Sequence, residues 1–441
     1  MNARETLKIN SKGHLEIGGM DATEIAERFG TPLYVFDEKH IRDMMSVYRN
    51  TINDEYDGNG LVLYASKAFS CKAIYKIAAQ ENIGVDVVSG GELYTALSVG
   101  FPADKIYFHG NNKLFKELEY AVKNKVGTIV VDSFKEADEL NELAKNHHLH
   151  QNVIIRINPG VEAHTHAYIQ TARSDSKFGF SVSDGSAEKI VKYVLDKKNL
   201  ALKGFHCHIG SQIFENESFI LAVQKMVAFI AEIKQKYGFE ADVLNLGGGF
   251  GIWYNSEDPK QKTTDYQITV HGIIAALKET TARYKLKQPY LLIEPGRSIV
   301  GEAGITLYTV GSVKEIAGIK KYVAIDGGMF ENPRYALYQS KYEVLLANRA
   351  NEKCTERVTV AGKCCESGDI IAVDVAVPNP QSGDIMAVFS TGAYNYSMAS
   401  NYNRNFVPPA ILVKDGKAEY IIKPQTYEDI VRNDTVPDYL K

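Results

Sequence analysis

Between residues 60 and 300, short apolar, β-branched runs alternate with amphipathic stretches, and no other feature constrains the fold as strongly. The strand-like runs are Leu61–Ala65, Ile83–Val88, Lys105–His109, Gly127–Asp132, Val153–Asn158, Leu202–His208, Val243–Leu246 and Tyr290–Glu294. Stretches between them, such as Phe115–Lys125 and Phe134–His147, space their apolar residues by three and four, the period of a helix face. Parallel strands alternating with helices over about 250 residues match the size and order of a (β/α)8 TIM barrel. An open doubly wound sheet is the alternative. No G-x-G-x-x-G follows the first run, however, where that fold places its nucleotide loop.

Beyond Ile299 the texture changes. Ile305–Val313, Lys321–Ile325, Arg357–Ala361, Ile370–Val377, Asp384–Phe389, Ala410–Val413 and Lys417–Ile422 are short strand-like pieces separated by Gly, Pro, Asn and Asp. They predict a mostly β second domain, to which Leu7–Ile9, His14–Ile17 and a helix over Asp21–Phe29 also belong. The expected fold class is therefore α/β, with a barrel over 37–300 and a β-rich domain from 1–36 and 301–441 that completes the active site.

A formal charge of -4 gives no reason to expect nucleic acid or an anionic membrane as partner. The opening Met1-Asn-Ala-Arg-Glu-Thr6 lacks the apolar core of a secretion signal, and no apolar run approaches the length of a bilayer span. The cysteines Cys71, Cys207, Cys354, Cys364 and Cys365 are odd in number and lack metal-like spacing, so neither a disulfide framework nor a metal is expected. A cytoplasmic protein fits these traits. Lys113–Lys125 reads as a solvated helix face.

In a barrel of this kind the chemistry lies at the C-terminal ends of the strands, and unusual polar residues recur there. Lys67 follows the first run in Tyr64-Ala-Ser-Lys-Ala-Phe69. His206 and His208 end the sixth and lead into Ile209-Gly-Ser-Gln212. Gly247, Gly248 and Gly249 follow the seventh, and Glu294-Pro295-Gly296-Arg297 the eighth. A lysine after a strand is more often a solvated turn residue. Lys67 is flanked by small Ala65, Ser66 and Ala68, which leave room around it, and a partly desolvated lysine can form a Schiff base. The triple glycine reads equally as a tight turn or as a cradle of backbone N–H groups for an anion. Its place favours the cradle, because barrels hold phosphate in the loops after strands seven and eight, and Ser211 adds a hydroxyl. A phosphate-bearing aldehyde cofactor joined to a lysine suits this combination.

A glutamate that ends a buried strand has to be paired. For Glu294 the partner is either Arg297 or a protonated pyridine nitrogen, whose ring then becomes an electron sink suited to decarboxylation. His208 is placed to stack on such a ring; His206 reads as readily as a histidine satisfied in the core. In Gly362-Lys-Cys-Cys-Glu-Ser-Gly-Asp369 the cysteines are either small buried residues beside a turn or a catalytic thiol. In the second case Cys365 returns a proton to a carbanion and Glu366 holds an ammonium group. Arg334 and Tyr338 stand four apart, one helix face, suited to gripping a carboxylate. Tyr394 lies in a glycine-flanked turn, as a packing residue or a site hydroxyl.

Tyr64-Ala-Ser-Lys-Ala68, Ser89-Gly-Gly-Glu-Leu93, His208-Ile-Gly-Ser-Gln212, Gly247-Gly-Gly-Phe-Gly251, Glu294-Pro-Gly-Arg297 and Cys364-Cys-Glu-Ser-Gly-Asp369 occur in this order along nearly the whole chain. In this the chain resembles the fold-type III pyridoxal-phosphate-dependent decarboxylases, nearest to those acting on diaminopimelate. The resemblance implies an alanine-racemase-type barrel with a β domain, pyridoxal 5'-phosphate as cofactor, and a homodimer with shared active sites. It implies conversion of meso-2,6-diaminopimelate to L-lysine and carbon dioxide, the last step of lysine biosynthesis. By position, Lys67 resembles the Schiff-base lysine, His208 the stacking histidine and Glu294 the pyridinium partner. Ser211, Gly247, Gly248, Gly249, Pro295, Gly296 and Arg297 correspond to cofactor contacts, with Tyr394 nearby. Arg297, Arg334, Tyr338, Glu366 and Tyr394 correspond to substrate contacts. Cys365 is similar to the proton donor, contributed with Glu366 by the neighbouring subunit. The chain departs from many members at Pro333-Arg334, where they carry Arg-Pro, yet the interval to Tyr338 is kept.

Three rivals are weighed. Ornithine, lysine and arginine end in a cation, for which an acid suffices, whereas diaminopimelate also ends in a carboxylate; Arg297, Arg334 and Glu366 supply both charges. A racemase on this fold wants a cationic partner at the pyridine nitrogen, against Glu294. A silent relative that only binds a partner would have lost Lys67 or Cys365, and both are present.

Overall fold

The structure is a computed structural model that describes residues 4–161, 176–255 and 265–441. The chain divides into two compact units. One holds the described residues of Arg42–Ile252 and Lys262–Ile299; the other holds those of Met1–Ile41, Trp253–Gln261 and Val300–Lys441. Among the described residues no helix is long and apolar enough to cross a membrane.

The first unit is a closed parallel barrel. Its strands are β1 (Gly60–Ala65), β2 (Gly84–Val87), β3 (Ile106–Phe108), β4 (Thr128–Val131), β5 (Gln151–Asn158), β6 (Leu200–His206), β7 (Val243–Asn245) and β8 (Tyr290–Ile293). Each pairs with the next, and β8 pairs with β1 to close the sheet. All eight coincide with the runs expected above, within a residue or two at the ends. Leu63, Tyr107, Val130, Ile154 and Leu292, from five of the strands, meet in one buried cluster. Strands covered on both faces in this way carry continuous apolar runs, which is why they were conspicuous. Serines cap helices that follow two strands: Ser89 Oγ accepts from Glu92 N at 3.2 Å, and Ser133 Oγ from Glu136 N at 3.1 Å.

Lys113 overturns the reading of Lys113–Lys125 as a solvated face. Only 6% of it is exposed. Its Nζ donates to Glu136 Oε1 at 2.6 Å and to the carbonyls of Gly110 and Val130 at 2.8 and 2.7 Å. It precedes the helix Phe115–Lys123, so helix periodicity says nothing about where it points.

The second unit is built on a mostly antiparallel sheet. Its strands include β9 (Gly304–Ile316), β10 (Lys320–Ile325), β11 (Val344–Leu346), β12 (Glu356–Ala361), β13 (Ile370–Val377), β14 (Ile385–Val388), β15 (Ala410–Lys414) and β16 (Lys417–Ile422). The order runs β13, β12, β10, β9, then Leu33–Asp37, β15 and β16, while β14 bridges β9 and β11. The strand Leu33–Asp37 was not anticipated, and neither was β11. Leu33–Asp37 is buried throughout and joins β9 to β15. Its unbroken apolar run is the mark of a central strand, obscured by the nearby Gly30-Thr31-Pro32.

The Lys113–Glu136 pair gives a stability prediction. Lys113→Met leaves a carboxylate uncompensated in the barrel wall and is expected to cost about 3–5 kcal/mol in urea unfolding. Adding Glu136→Leu should recover most of that loss; a single variant as stable as wild type would contradict the pairing.

Candidate active site

At the C-terminal end of β1 the chain enters a short turn, Ser66–Ala68, with Lys67 at its centre between two fully buried residues. Ser66 Oγ pins this turn, lying 2.7 Å from the carbonyl oxygen of Asp86 and 2.8 Å from Glu92 Oε2. Lys67 itself is half-buried.

Glu294 is 5% exposed. Asn245 Nδ2 donates to its Oε1 at 2.7 Å. His109 Nε2 lies 2.8 Å from the same oxygen, and His206 Nε2 lies 3.4 Å from Oε2. Burial pushes the carboxyl up, but His109 and His206 more than offset this and hold it well below the usual carboxylate range. Burial brings His206 down to about 3. Arg297, the other candidate partner for Glu294, donates to Ser211 Oγ at 3.0 Å.

The loops after β6, β7 and β8 are stitched together by backbone. Gly248 N donates to His208 Nδ1 at 3.2 Å, so the proton of the neutral ring sits on Nε2. Burial and then Lys67 hold His208 well below its ordinary value. Glu294 N donates to Gly247 O at 2.7 Å and Gly247 N to Asn245 Oδ1 at 2.9 Å. A Cβ on Gly248 would stand 2.1 Å from Glu294 O, and one on Gly249 2.5 Å from Gly210 O. Only glycine lets these strand ends approach so closely. Lys67, His208, Ser211, Gly247, Gly248, Gly249, Glu294, Pro295, Gly296 and Arg297 thus all belong to strand ends or the loops that leave them. A lysine, a neutral histidine, glycine-built loops and an ionised carboxylate suit a phosphorylated pyridine aldehyde.

Sequence reasoning missed Asp86, His109, Asn245 and Arg156. Asp86 lies inside the apolar run Gly84–Val87 and His109 directly follows β3. A lone polar residue within or just past a buried run was the available signal. Burial draws Arg156 below its ordinary value, against Asp132 and Glu294.

In the β unit, Arg334 and Tyr338 stand at the two ends of the short helix Arg334–Tyr338. The guanidinium carbon lies 5.0 Å from the Tyr338 ring centroid and 5.7 Å from that of Tyr394. Arg334 is 7% exposed, and its Nε has no hydrogen-bond partner among the described residues. Tyr394 adopts φ of 63°, a left-handed conformation costly for a bulky residue. Cys365 and Glu366 are exposed. Their loop is set by buried Asp369, whose Oδ1 accepts from Met329 N at 2.6 Å and Oδ2 from Cys364 N at 2.7 Å. Burial and Asp369 push the Cys364 thiol up to about 11. All five cysteines are free thiols.

Glu331, just before this helix, is fully buried, with Oε1 accepting from Tyr308 at 2.5 Å and Oε2 from Tyr34 at 3.1 Å. Burial raises it from 4.5 to about 7. The unfolded chain ionises near the lower value and the folded chain only near the higher. Wild-type stability should therefore fall as pH rises through that window. Glu331→Gln is expected to flatten the fall, read as thermal midpoint against pH; an unchanged slope would contradict it.

Comparison with known proteins agrees with this geometry. Residues 39–301 match the family model described as the pyridoxal-binding domain of pyridoxal-dependent decarboxylases. The chain is 50% identical over 432 residues to a diaminopimelate decarboxylase of Bacillus subtilis, covering 97% of each. It is 46% identical to that of Staphylococcus aureus, covering 98% of this chain and 100% of the relative. The crystal structure of the M. jannaschii diaminopimelate decarboxylase in complex with L-lysine is similar at a TM-score of 0.91 and 37% identity, covering 99% of both chains. The chain belongs to the pyridoxal-dependent decarboxylase family, within its diaminopimelate decarboxylase branch.

Proposed function

We propose that this protein is a carboxy-lyase that converts meso-2,6-diaminopimelate to L-lysine and carbon dioxide, the last step of lysine biosynthesis. The observation that carries the proposal is Glu294, a buried carboxylate held ionised at the barrel end where Lys67 and the glycine loops lie. When bound, pyridoxal phosphate supplies an electron sink for the pair left behind by the departing carboxylate.

The residues of this chain do the rest. Lys67 would hold the cofactor through its amine. Gly249 and Gly296 would offer N–H groups and Ser211 a hydroxyl to the phosphate, Gly247 and Gly248, whose N–H groups are taken by Asn245 and His208, would shape that loop, and Pro295, Arg297 and Tyr394 would also lie against the cofactor. His208, with its proton on Nε2, would cover one face of the ring. Glu294 would keep a proton on the ring nitrogen. Arg297, Arg334, Tyr338, Glu366 and Tyr394 bind the distal end of the substrate, the cations on its carboxylate and Glu366 on its ammonium. Carbon dioxide leaves, and the carbon takes one proton from Cys365 or Lys67.

The protein works as a cytoplasmic homodimer in which Cys365 and Glu366 serve the partner's site. Their exposure in the single chain supports this, because the chemistry wants a dry surrounding.

Lys67→Ala is expected to lose the absorbance of covalently held cofactor and to lower kcat by at least about a thousandfold, as removal of a covalent catalyst does. Turnover should be highest with meso-diaminopimelate among that compound, ornithine, lysine and arginine. A Lys67→Ala variant that keeps the absorbance, or a preference for a simple diamino acid, would refute the proposal.

A further inference from the structure

The motif Ser89-Gly-Gly-Glu-Leu93 has no part in the reaction above, yet it leaves β2 beside the turn that carries Lys67. Strands β1 and β2 pair as far as Ala65 and Asp86. The hydroxyl of fully buried Ser66 then meets two oxygens from the β2 side, the Asp86 carbonyl at 2.7 Å and Glu92 Oε2 at 2.8 Å. Val88 N donates to that same Oε2 at 2.8 Å. Glu92 therefore ties the end of β2 to the residue that precedes Lys67.

Glu92 is itself held from behind. It lies in the first turn of the helix Gly90–Ser98, where its N–H meets the capping hydroxyl of Ser89. Gly90 N donates to Glu117 Oε1 at 2.6 Å, which fastens the helix start to the next helix, Phe115–Lys123. A Cβ on Gly90 would stand 3.1 Å from Glu117 Cγ, so a glycine makes room for this contact. On its other side the Lys67 turn is gripped from β8. Ala65 N donates to Pro295 O at 3.2 Å, and a Cβ on Gly296 would stand 2.9 Å from Ala65 O. The Ser66 hydroxyl has one hydrogen for two oxygens. A proton on Glu92 satisfies both contacts, and burial pushes Glu92 above its ordinary value. The link needs a polar group at position 92 but no charge.

We propose that Glu92 is a positioning residue for Lys67, acting through Ser66: it fixes the turn from which the lysine side chain departs. Because Lys67 matters here as the anchor of the cofactor, the inference rests on the function proposed above. A lysine amine rides on a flexible four-carbon stem, and a fixed root narrows the volume that the amine can sweep. Misplacing a reacting group by about 1 Å can cost about a hundredfold in rate. The backbone on both sides of Lys67 is accordingly tied, by Pro295 from β8 and through Ser66 from β2.

The test compares wild-type holoenzyme with S66A, E92L, E92Q and the double variant S66A/E92L. It reads kcat and KM for meso-diaminopimelate and the absorbance of covalently held pyridoxal phosphate. S66A and E92L are each expected to lose about 10- to 100-fold in kcat, the scale of loss when the partner that orients a functional side chain is removed. KM should move less than kcat, and the absorbance should remain. E92Q keeps an oxygen for Val88 N and Ser66 and should recover most of what E92L loses. The double variant should be no slower than the slower single one, because residues acting through one contact do not add. Losses that multiply in the double variant overturn the proposal, since Glu92 would then act apart from Ser66. A wild-type kcat in S66A or E92L overturns it too, as does an E92Q as slow as E92L. Should E92L fail to fold, S66A decides: a fall in kcat at little-changed KM supports the link, and a wild-type kcat overturns it. A wild-type protein that neither carries the absorbance nor turns over meso-diaminopimelate overturns the proposed function itself, and this inference with it, before any variant is compared.

Discussion

The hydrogen bonds between β8 and β1 close a parallel sheet on itself, Leu291 pairing with Gly60 and Ile293 with Val62. Closure removes both sheet edges and leaves every strand covered on both faces. It also sets the seam at which Lys67 and Glu294, far apart in sequence, share one end of the barrel. Gly60 is part of that seam: a Cβ there would lie 2.6 Å from Leu291 O. Past the last paired residues the stitching continues, Ala65 N donating to Pro295 O at 3.2 Å. The loops that hold polar groups are therefore tied as firmly as the strands that carry them.

Such a barrel must still house charge. Glu294 accomplishes this with an amide donor, Asn245, and the close approach of two histidine rings. An arginine in their place would form a salt bridge whose desolvation roughly cancels its attraction, and it would leave the carboxylate less able to serve a ligand. Lys113 and Glu136 solve the same problem structurally, by pairing outright and giving the lysine two further carbonyl acceptors.

The barrel was legible because buried parallel strands carry unbroken apolar runs, and these survive translation into a one-dimensional pattern. All eight runs were strands. The loop residues of the site were legible for a related reason: Lys67, His208, the glycines and Glu294 interrupt that pattern at fixed places. Asp86 and His109 were not, because each sits singly beside an apolar run and becomes significant only when another strand brings Glu294 close. Leu33–Asp37 was passed over since it stands outside the alternation and borrows its partners, β9 and β15, from the far end of the chain. Lys113 misled for want of a helix beneath it. Arg334 and Tyr338 were singled out by their spacing and by the family resemblance, yet the approach of Tyr394 to the same guanidinium could be learned only from the fold.

Gly248, with a carbonyl oxygen standing where any side chain would begin, has a bearing on how such a protein can diverge. A substitution there displaces two strand ends at once, so that loop is closed to gradual drift. The helix Arg334–Tyr338 and the exposed Cys365–Glu366 turn carry no stitching of that density. Substitutions in those segments therefore disturb the barrel end less than one at Gly248 does.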